Sequence, residues 1–314
     1  MNRDTLAYYT KCFVGLHVNR THARGVSPHK ICMLLAVIDL YDYDPDRPNQ
    51  IRYGQKLLER FWLYFEAVKK PTDHANPYFP FFHLSGDKFW HLQPKLGREI
   101  MLAALKTVRS NRQVNENIEY ATLDTDLHSL LGDATARHDL AESLVNHWFN
   151  RQRAELMEMV QFSSTINSYE HSLRENAEVS EPDPRVTVFV RDQAFRRVVL
   201  EAYDYRCAAT GERIILPDDS AMVEAAHIIP FSETRDDDPR NGLALAPNIH
   251  WAMDKNVIAP GPDWCWHISR KIERRKPENR YLVSLDKQKV ILPREQRLWP
   301  KREALEWRMD NLLK

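Results

Sequence analysis

The sequence predicts an α+β protein, with a mainly helical N-terminal domain carrying a β-hairpin and a C-terminal domain built round two strands and a helix. Three observations predict it. Helix-forming, largely apolar stretches recur through residues 1–150. Two short apolar segments, Val223 to Ile229 and Leu243-Ala-Leu245, read as strands. Pro247-Asn248 then opens a helix that puts His250 and Asp254 on one face, four residues apart. At 314 residues the chain is long enough for two cores. The expected division is 1–150, a helical connector and linker over 151–185, and 186–314.

Each element has its own warrant. Ser27-Pro28 reads as an N-cap followed by proline at the first helical position, and Ile31 to Leu40 continues as an almost wholly apolar helix. Gln55 to Val68 places Leu57, Leu58, Phe61, Trp62 and Phe65 on one face. Pro80 to Leu84 and Lys88 to Leu92 flank Ser85-Gly86-Asp87 and read as the hairpin. Arg98 to Val108 and Leu123 to Leu131 are further helices. Thr135 to Glu175 has no proline or glycine, so it forms one long helix or two in succession. Glu178-Val-Ser-Glu-Pro182-Asp-Pro184 breaks it as a linker. Arg191 to Tyr205 is an amphipathic helix, and Pro300 to Leu313 a final one.

Composition narrows the class. There are 44 Lys plus Arg against 44 Asp plus Glu, so net charge speaks against a protein that coats DNA non-specifically. It leaves room for a local basic face. Arg270, Lys271, Arg274, Arg275, Lys276 and Arg280 put six basic residues within eleven positions, either a phosphate contact or a solvated loop. No run of 18 apolar residues occurs, and Met1-Asn-Arg-Asp leads into a polar amphipathic stretch rather than an export signal. Cys12, Cys32, Cys207 and Cys265 are far apart with no C-x-x-C pair. A cytoplasmic location with reduced thiols and no membrane partner is expected.

The chemistry concentrates in Glu224-Ala-Ala-His227-Ile-Ile-Pro230, Asn241-Gly242, and His250 with Asp254. This segment resembles the ββα-metal site of HNH nucleases. The resemblance implies His227 as general base, its other ring nitrogen held by a backbone carbonyl. It implies His250 as a metal ligand, and Asn241 either as a ligand or as the tie of the loop between the strands. Imidazole titrates near neutral pH, which suits a base that takes a proton from water. The position before the base often carries a metal-ligating Asp or His; here it is Ala226, which leaves Glu224 and Asp254 to complete the shell. Strand alternation puts Glu224 opposite His227, so Asp254 is the better expected partner of His250. Such a shell suits Mg2+ or Mn2+, with Ni2+ or Co2+ able to substitute in vitro. Some HNH relatives hold a structural zinc with two C-x-x-C pairs; Thr210 replaces the partner of Cys207, so none is expected here.

His29 and Lys30 stand in the first turn of the Ser27 helix, where the dipole disfavours cations unless an anion docks on the free amides. Arg24 to Lys30, Asn49-x-Ile51, Tyr78-Phe-Pro80-Phe-x-x-Leu84 and Phe89-Trp90 resemble the sulfur-binding domain of McrA-type modification-dependent (type IV) restriction endonucleases. The resemblance implies a domain that recognises DNA carrying a phosphorothioate. Basic residues at the helix start contact the backbone, and an apolar proline-aromatic pocket holds the sulfur. Carried onto this chain, the contacts are Arg24, His29, Lys30, Tyr78 and Pro80. Sulfur is larger and less hydrated than oxygen, so apolar contact can select for it.

The whole therefore reads as a modified-DNA reader joined to a metal-dependent HNH endonuclease acting on double-stranded DNA. The rival readings are a nuclease that reads a methylated base and a DNA-binding regulator that does not cut. A homodimer is expected, because one HNH site cuts one strand; Leu140, Leu144, Trp148, Leu156 and Met159 offer the apolar face, unless their own domain claims it.

Overall fold

The computed structural model describes residues 3–21, 25–71, 73–149, 152–175, 187–217 and 219–313. The chain separates into two compact units, Met1–Ser164 with Pro217–Ser220, and Thr165–Leu216 with Ala221–Lys314. Every described sheet is a two-stranded pair, and helices make up the rest of each core. The linker expected at Glu178 to Pro184 lies outside the described residues. Among them no helix is long and apolar enough to cross a membrane.

The first unit runs α1 (Arg3–Val14), β1 (Arg20–Thr21), β2 (Gly25–Val26), α2 (His29–Tyr43), α3 (Gln55–Val68), α4 (Tyr78–His83), β3 (Trp90–Pro94), α5 (Glu99–Ala104), α6 (Asn111–Asn117), β4 (Ile118–Leu123), α7 (Thr125–Leu131), α8 (Ala134–Trp148) and the first half of α9 (Arg153–Glu175). Its centre is α2, in which every residue from Ile31 to Tyr41 is buried. A helix apolar all round must be covered on all sides. Here α3 lies along it through Leu57, Phe61 and Phe65, with α1 and α8 also packed round this core. Each such side chain contributes about 1.5–3 kcal/mol through burial.

Three expectations about this unit are corrected. Ser27 is not the cap of α2: the N-cap is Pro28, without a side-chain hydrogen bond. Ser27 lies one residue too far out, and its hydroxyl meets the His29 Nδ1 at 2.8 Å instead. The expected hairpin is not formed by Pro80–Leu84 and Lys88–Leu92. Pro77 and Pro80 preset helical φ where an N–H is not needed, so Tyr78–His83 is α4, followed by a 3-10 turn from Leu84 to Asp87. Lys88 ends it at φ 68°, and β3 pairs antiparallel with the distant β4, Trp90 against Leu123. Asn49 extends that ladder, its amide donating to the Leu123 carbonyl at 2.8 Å and accepting the Leu123 N–H at 2.9 Å.

The third correction concerns the dimer face. Thr135 to Glu175 is two helices, and Leu140, Leu144 and Leu156 are fully buried in the core of their own unit. Trp148 donates its indole N–H to the Phe13 carbonyl at 2.9 Å, and Met159 packs on the same core. Their apolar surface is covered within one chain.

The second unit holds the rest of α9, then α10 (Val188–Ala202), β5 (Glu224–His227), α11 (Phe231–Thr234), β6 (Gly242–Leu245), α12 (Pro247–Asp254), β7 (Ile258–Pro260), β8 (Trp266–Ile268), α13 (Arg280–Ser284) and α14 (Arg302–Asp310). β5 and β6 pair antiparallel with His227 opposite Gly242 and Glu224 opposite Leu245. The apolar strands and the Pro247 helix start therefore stand where the sequence puts them. α10 crosses the strand pair through Phe195, Val198 and Val199. A Cβ on Gly242 would lie 2.5 Å from Val199 and 2.9 Å from Phe195, so this close approach needs glycine.

Candidate functional site

β5 ends on His227, and α10 supplies the surface it rests on. The Phe195 ring lies flat on the imidazole, with centroids 3.9 Å apart and 2° between the planes. The imidazole Nε2 meets Asp237 Oδ1 at 3.0 Å. Nδ1 has no partner among the described residues, and the side chain keeps 19% of its surface exposed. The implied backbone carbonyl is thus replaced at Nε2 by a carboxylate. Asp237 is itself 1% exposed, with Arg191 Nε 3.0 Å from Oδ2 and the Tyr169 hydroxyl donating to Oδ2 at 3.4 Å. Burial first, then the Asp237 charge, pushes the Tyr169 phenol well above the ordinary tyrosine range, which keeps it a donor. Arg191 also stacks its guanidinium over Phe231 at 3.3 Å.

Asn241 resolves the alternative left open for it. Its Oδ1 accepts the Ile229 N–H at 2.9 Å, and its Nδ2 donates to the carbonyls of Ile229 at 3.0 Å and Asp236 at 3.2 Å. The residue is fully buried. It ties the loop between the strands, and a metal could reach it only by undoing that tie. Arg308 does a similar service from α14, donating to the Ile228 carbonyl at 2.6 Å, the His227 carbonyl at 3.3 Å and the Met253 carbonyl at 3.2 Å.

His250 stands between two carboxylates, its Nδ1 2.7 Å from Glu224 Oε2 and its Nε2 3.6 Å from Asp254 Oδ2. Asp254 is the expected partner of His250; in the structure Glu224 is the nearer of the two carboxylates. Alternation sets Glu224 apart from His227 but on the same strand face as Ala226, the position that lacks its usual ligand. Among the described residues no three His, Cys, Asp or Glu side chains are gathered ready to enclose a metal ion. The donor chemistry nevertheless fits a hard divalent ion, for His250 and Glu224 are solvent-accessible and offer one nitrogen and one carboxylate. A cation of that kind is commonly held by one or two carboxylates, with water and phosphate completing the shell.

In the first unit His29, Lys30 and Pro80 line one cavity of about 710 Å3, together with Phe79 and His83. Tyr78 does not line it; its ring packs against the helical core, whereas Phe79, 38% exposed, faces the cavity. Arg24 lies outside the described residues. His29 is neutral rather than cationic, because burial lowers its pKa below the ordinary histidine value. Both its nitrogens are engaged, by the Ser27 hydroxyl and the His74 carbonyl at 2.8 Å each. The cation of Lys30 is answered inside the protein by Asp87 at 2.5 Å. That carboxylate also accepts the His17 backbone N–H at 2.9 Å.

Asp237, Arg308, Phe79 and Asp87 were not singled out from sequence. Asp237 sits in a run of three aspartates that reads as solvated loop, and Arg308 in a charged terminal helix; nothing in their spacing marks either as buried.

Comparison with known proteins gives a match in each unit; that in the first unit spans Phe79 and Pro80 but not His29 and Lys30. Residues 207–259 match the family described as HNH endonuclease. Residues 55–165 match the family described as ScoMcrA-like, DNA sulfur-binding domain. No curated protein matches the chain. Among solved structures, a modification dependent TagI restriction endonuclease is similar at 19% identity and a TM-score of 0.30, over 42% of this chain. The chain spans 40% of that protein's length. This chain thus carries a ScoMcrA-like DNA sulfur-binding domain followed by an HNH endonuclease domain.

Proposed function

We propose that the protein is a modification-dependent DNA endonuclease whose first unit reads a phosphorothioate and whose second unit hydrolyses a phosphodiester. The observation that carries the cutting half is His227, with one ring nitrogen held by Asp237 and the other open. In the reaction, a water oxygen attacks phosphorus while Nδ1 of His227 takes its proton, and one P–O ester bond breaks, its departing oxygen taking up a proton from solvent. His250 and Glu224 would hold a divalent ion, Mg2+ or Mn2+, which supplies Lewis acidity at the phosphate. Asn241 and Arg308 keep the loop and strand that carry His227 in place.

The reading half rests on a cation beside apolar surface. Lys30 supplies charge for the backbone, and Phe79 with Pro80 supplies a face that sulfur prefers to water. Oxygen-to-sulfur exchange keeps the formal charge, so the selectivity must come from that face. The exposed basic run at Arg270, Lys271, Arg275 and Arg280 is a further backbone contact in this reading. Two copies act at each double-strand break, because each site cuts one strand.

The test is full-length His227→Ala. It should lose cleavage of a thioated duplex by at least about 100-fold while still binding that duplex more tightly than its oxygen counterpart. Cleavage within a few-fold of wild type defeats the assignment of the base. Equal binding of thioated, methylated and plain duplexes defeats the assignment of the reader. Light scattering on DNA decides the stoichiometry.

A further inference from the structure

The loop carrying Asp237 determines how the base of the nuclease reading works. His227 has two ring nitrogens, and only a neutral ring with its proton on one of them can accept a proton at the other. Which nitrogen carries the proton is decided by what each faces. Nε2 faces a carboxylate oxygen at 3.0 Å, which can only accept. Nδ1 faces no protein partner among the described residues.

We propose that Asp237 is a positioning residue for the nuclease reaction: it fixes His227 in the Nε2–H tautomer, leaves Nδ1 as the proton acceptor, and stabilises the imidazolium that forms. The inference rests on the nuclease reading above.

Asp237 is built for this task. A carboxylate 1% exposed is costly unless its lone pairs are filled. Its two oxygens divide the work. Oδ2 is ion-paired with Arg191 at 3.0 Å and accepts the Tyr169 hydroxyl at 3.4 Å. Oδ1 is left for His227. Phe195, stacked on one imidazole face at 3.9 Å, and Phe231 at 5.9 Å hold the plane of the ring, and within that plane the Asp237 contact favours the orientation with Nε2 towards Oδ1. The backbone of His227 is fixed from the other side by Arg308. A backbone carbonyl at this place would set the tautomer equally well, but it carries no charge. The carboxylate also stabilises the positive ring in the step where water loses its proton.

The division of the oxygens predicts what Asp237→Asn does. The Arg191 cation stays beside the Oδ2 place, so it draws the amide oxygen there rather than the NH2 group. The NH2 group is then left facing Nε2, which must accept, and the ring proton moves to Nδ1. The base is blocked at the atom that needs to be open. In the Ser-His-Asp triad of serine proteases the same exchange costs on the order of 10,000-fold in kcat.

The experiment has two arms on the full-length protein. In the first, 15N shifts of the histidine ring, with His227→Ala used to assign the signal, report the tautomer in wild type. Protonated Nε2 is expected, and a wild-type ring protonated at Nδ1 overturns the proposal whether or not any variant folds. In the second, Asp237→Asn is expected to lower kcat by about 100-fold or more while KM for the duplex stays within a few-fold and the His227 proton moves to Nδ1. A folded Asp237→Asn protein that keeps kcat within about threefold of wild type overturns it. Failure of the nuclease reading itself looks different, for then wild type does not cleave at all.

Discussion

Arg308 donates from Nε to the carbonyl of Ile228 at 2.6 Å and so holds the end of the strand that carries His227. The same guanidinium reaches the His227 and Met253 carbonyls and the Asn256 side chain. One buried side chain thus joins β5 to the C-terminal end of α12. Burial lowers its pKa, with Asp254 pulling the other way, but an arginine stays charged under any working condition. The positive group lies against the last carbonyls of α12, where the dipole favours it. Arg308→Ala should destabilise the second unit by about 3 kcal/mol, since several buried oxygens lose their donor together. Arg308→Lys should recover only part, because one ammonium cannot span all four acceptors. Thermal or denaturant unfolding reads this; a change under about 0.5 kcal/mol would remove the clamp from the account.

The metal prediction follows from distance. Glu224 is 2.7 Å from His250 and Asp254 is 3.6 Å away on the opposite ring nitrogen. EDTA should stop cleavage and Mg2+ or Mn2+ restore it. Calorimetry with Mn2+ should show affinity lowered about tenfold or more by His250→Ala and by Glu224→Gln, with Asp254→Asn the milder variant. Unchanged affinity in Glu224→Gln would return the ligand role to Asp254.

Much of the second unit was legible because its parts are local. Two apolar strands, a proline-started helix and three chemically specific residues lie within a few turns of chain, and α12 begins at Pro247 as read. The approach of Glu224 to His250 was not legible, because alternation along a strand says which face a side chain leaves from, not what comes to meet it from a helix. The 78–94 region failed for another reason. Aromatic residues round a Ser-Gly-Asp turn suit a hairpin, yet the true partner of β3 is β4, beyond α5 and α6. Local pattern cannot see such a pairing. Pro77 and Pro80 were the available signal, since proline in the first helical turn is favoured and in a central strand is not.

His29 makes a prediction about pH. Its pKa is lowered by burial, so in the folded protein it stays neutral at values where the unfolded chain has begun to bind a proton. The unfolded state then holds more protons than the folded one, and stability rises with pH until the ordinary value near 6.5 is passed. His83, lowered by burial and then by Lys30, and His128, lowered by burial and then by Arg47, add in the same direction. The melting temperature of the protein should therefore fall as pH drops below about 6.5. His29→Gln, which can still bond to the His74 carbonyl, should make that fall shallower. An identical pH slope in wild type and variant would contradict the assignment.

The last prediction separates affinity from selectivity in the reader. Lys30 pairs with Asp87, with 13% and 3% of their side chains exposed, so its charge is oriented before DNA arrives. Phe79 is 38% exposed at the same cavity, where Pro80 forms buried wall. Sulfur and oxygen present the same net charge to Lys30, so Lys30→Ala should weaken thioated and plain duplexes alike. It should also reduce the slope of log affinity against log salt by about one contact. Phe79→Ala removes apolar surface without touching charge. It should leave the salt slope unchanged and shrink the thioated-to-plain ratio, with little effect on the plain duplex. Tyr78→Ala should instead act through stability, because that ring packs on the core. Binding is measured with His227→Ala as the background, so that cleavage does not intrude. A Phe79→Ala protein that keeps the full preference for thioated DNA would show that the discriminating surface lies outside this cavity.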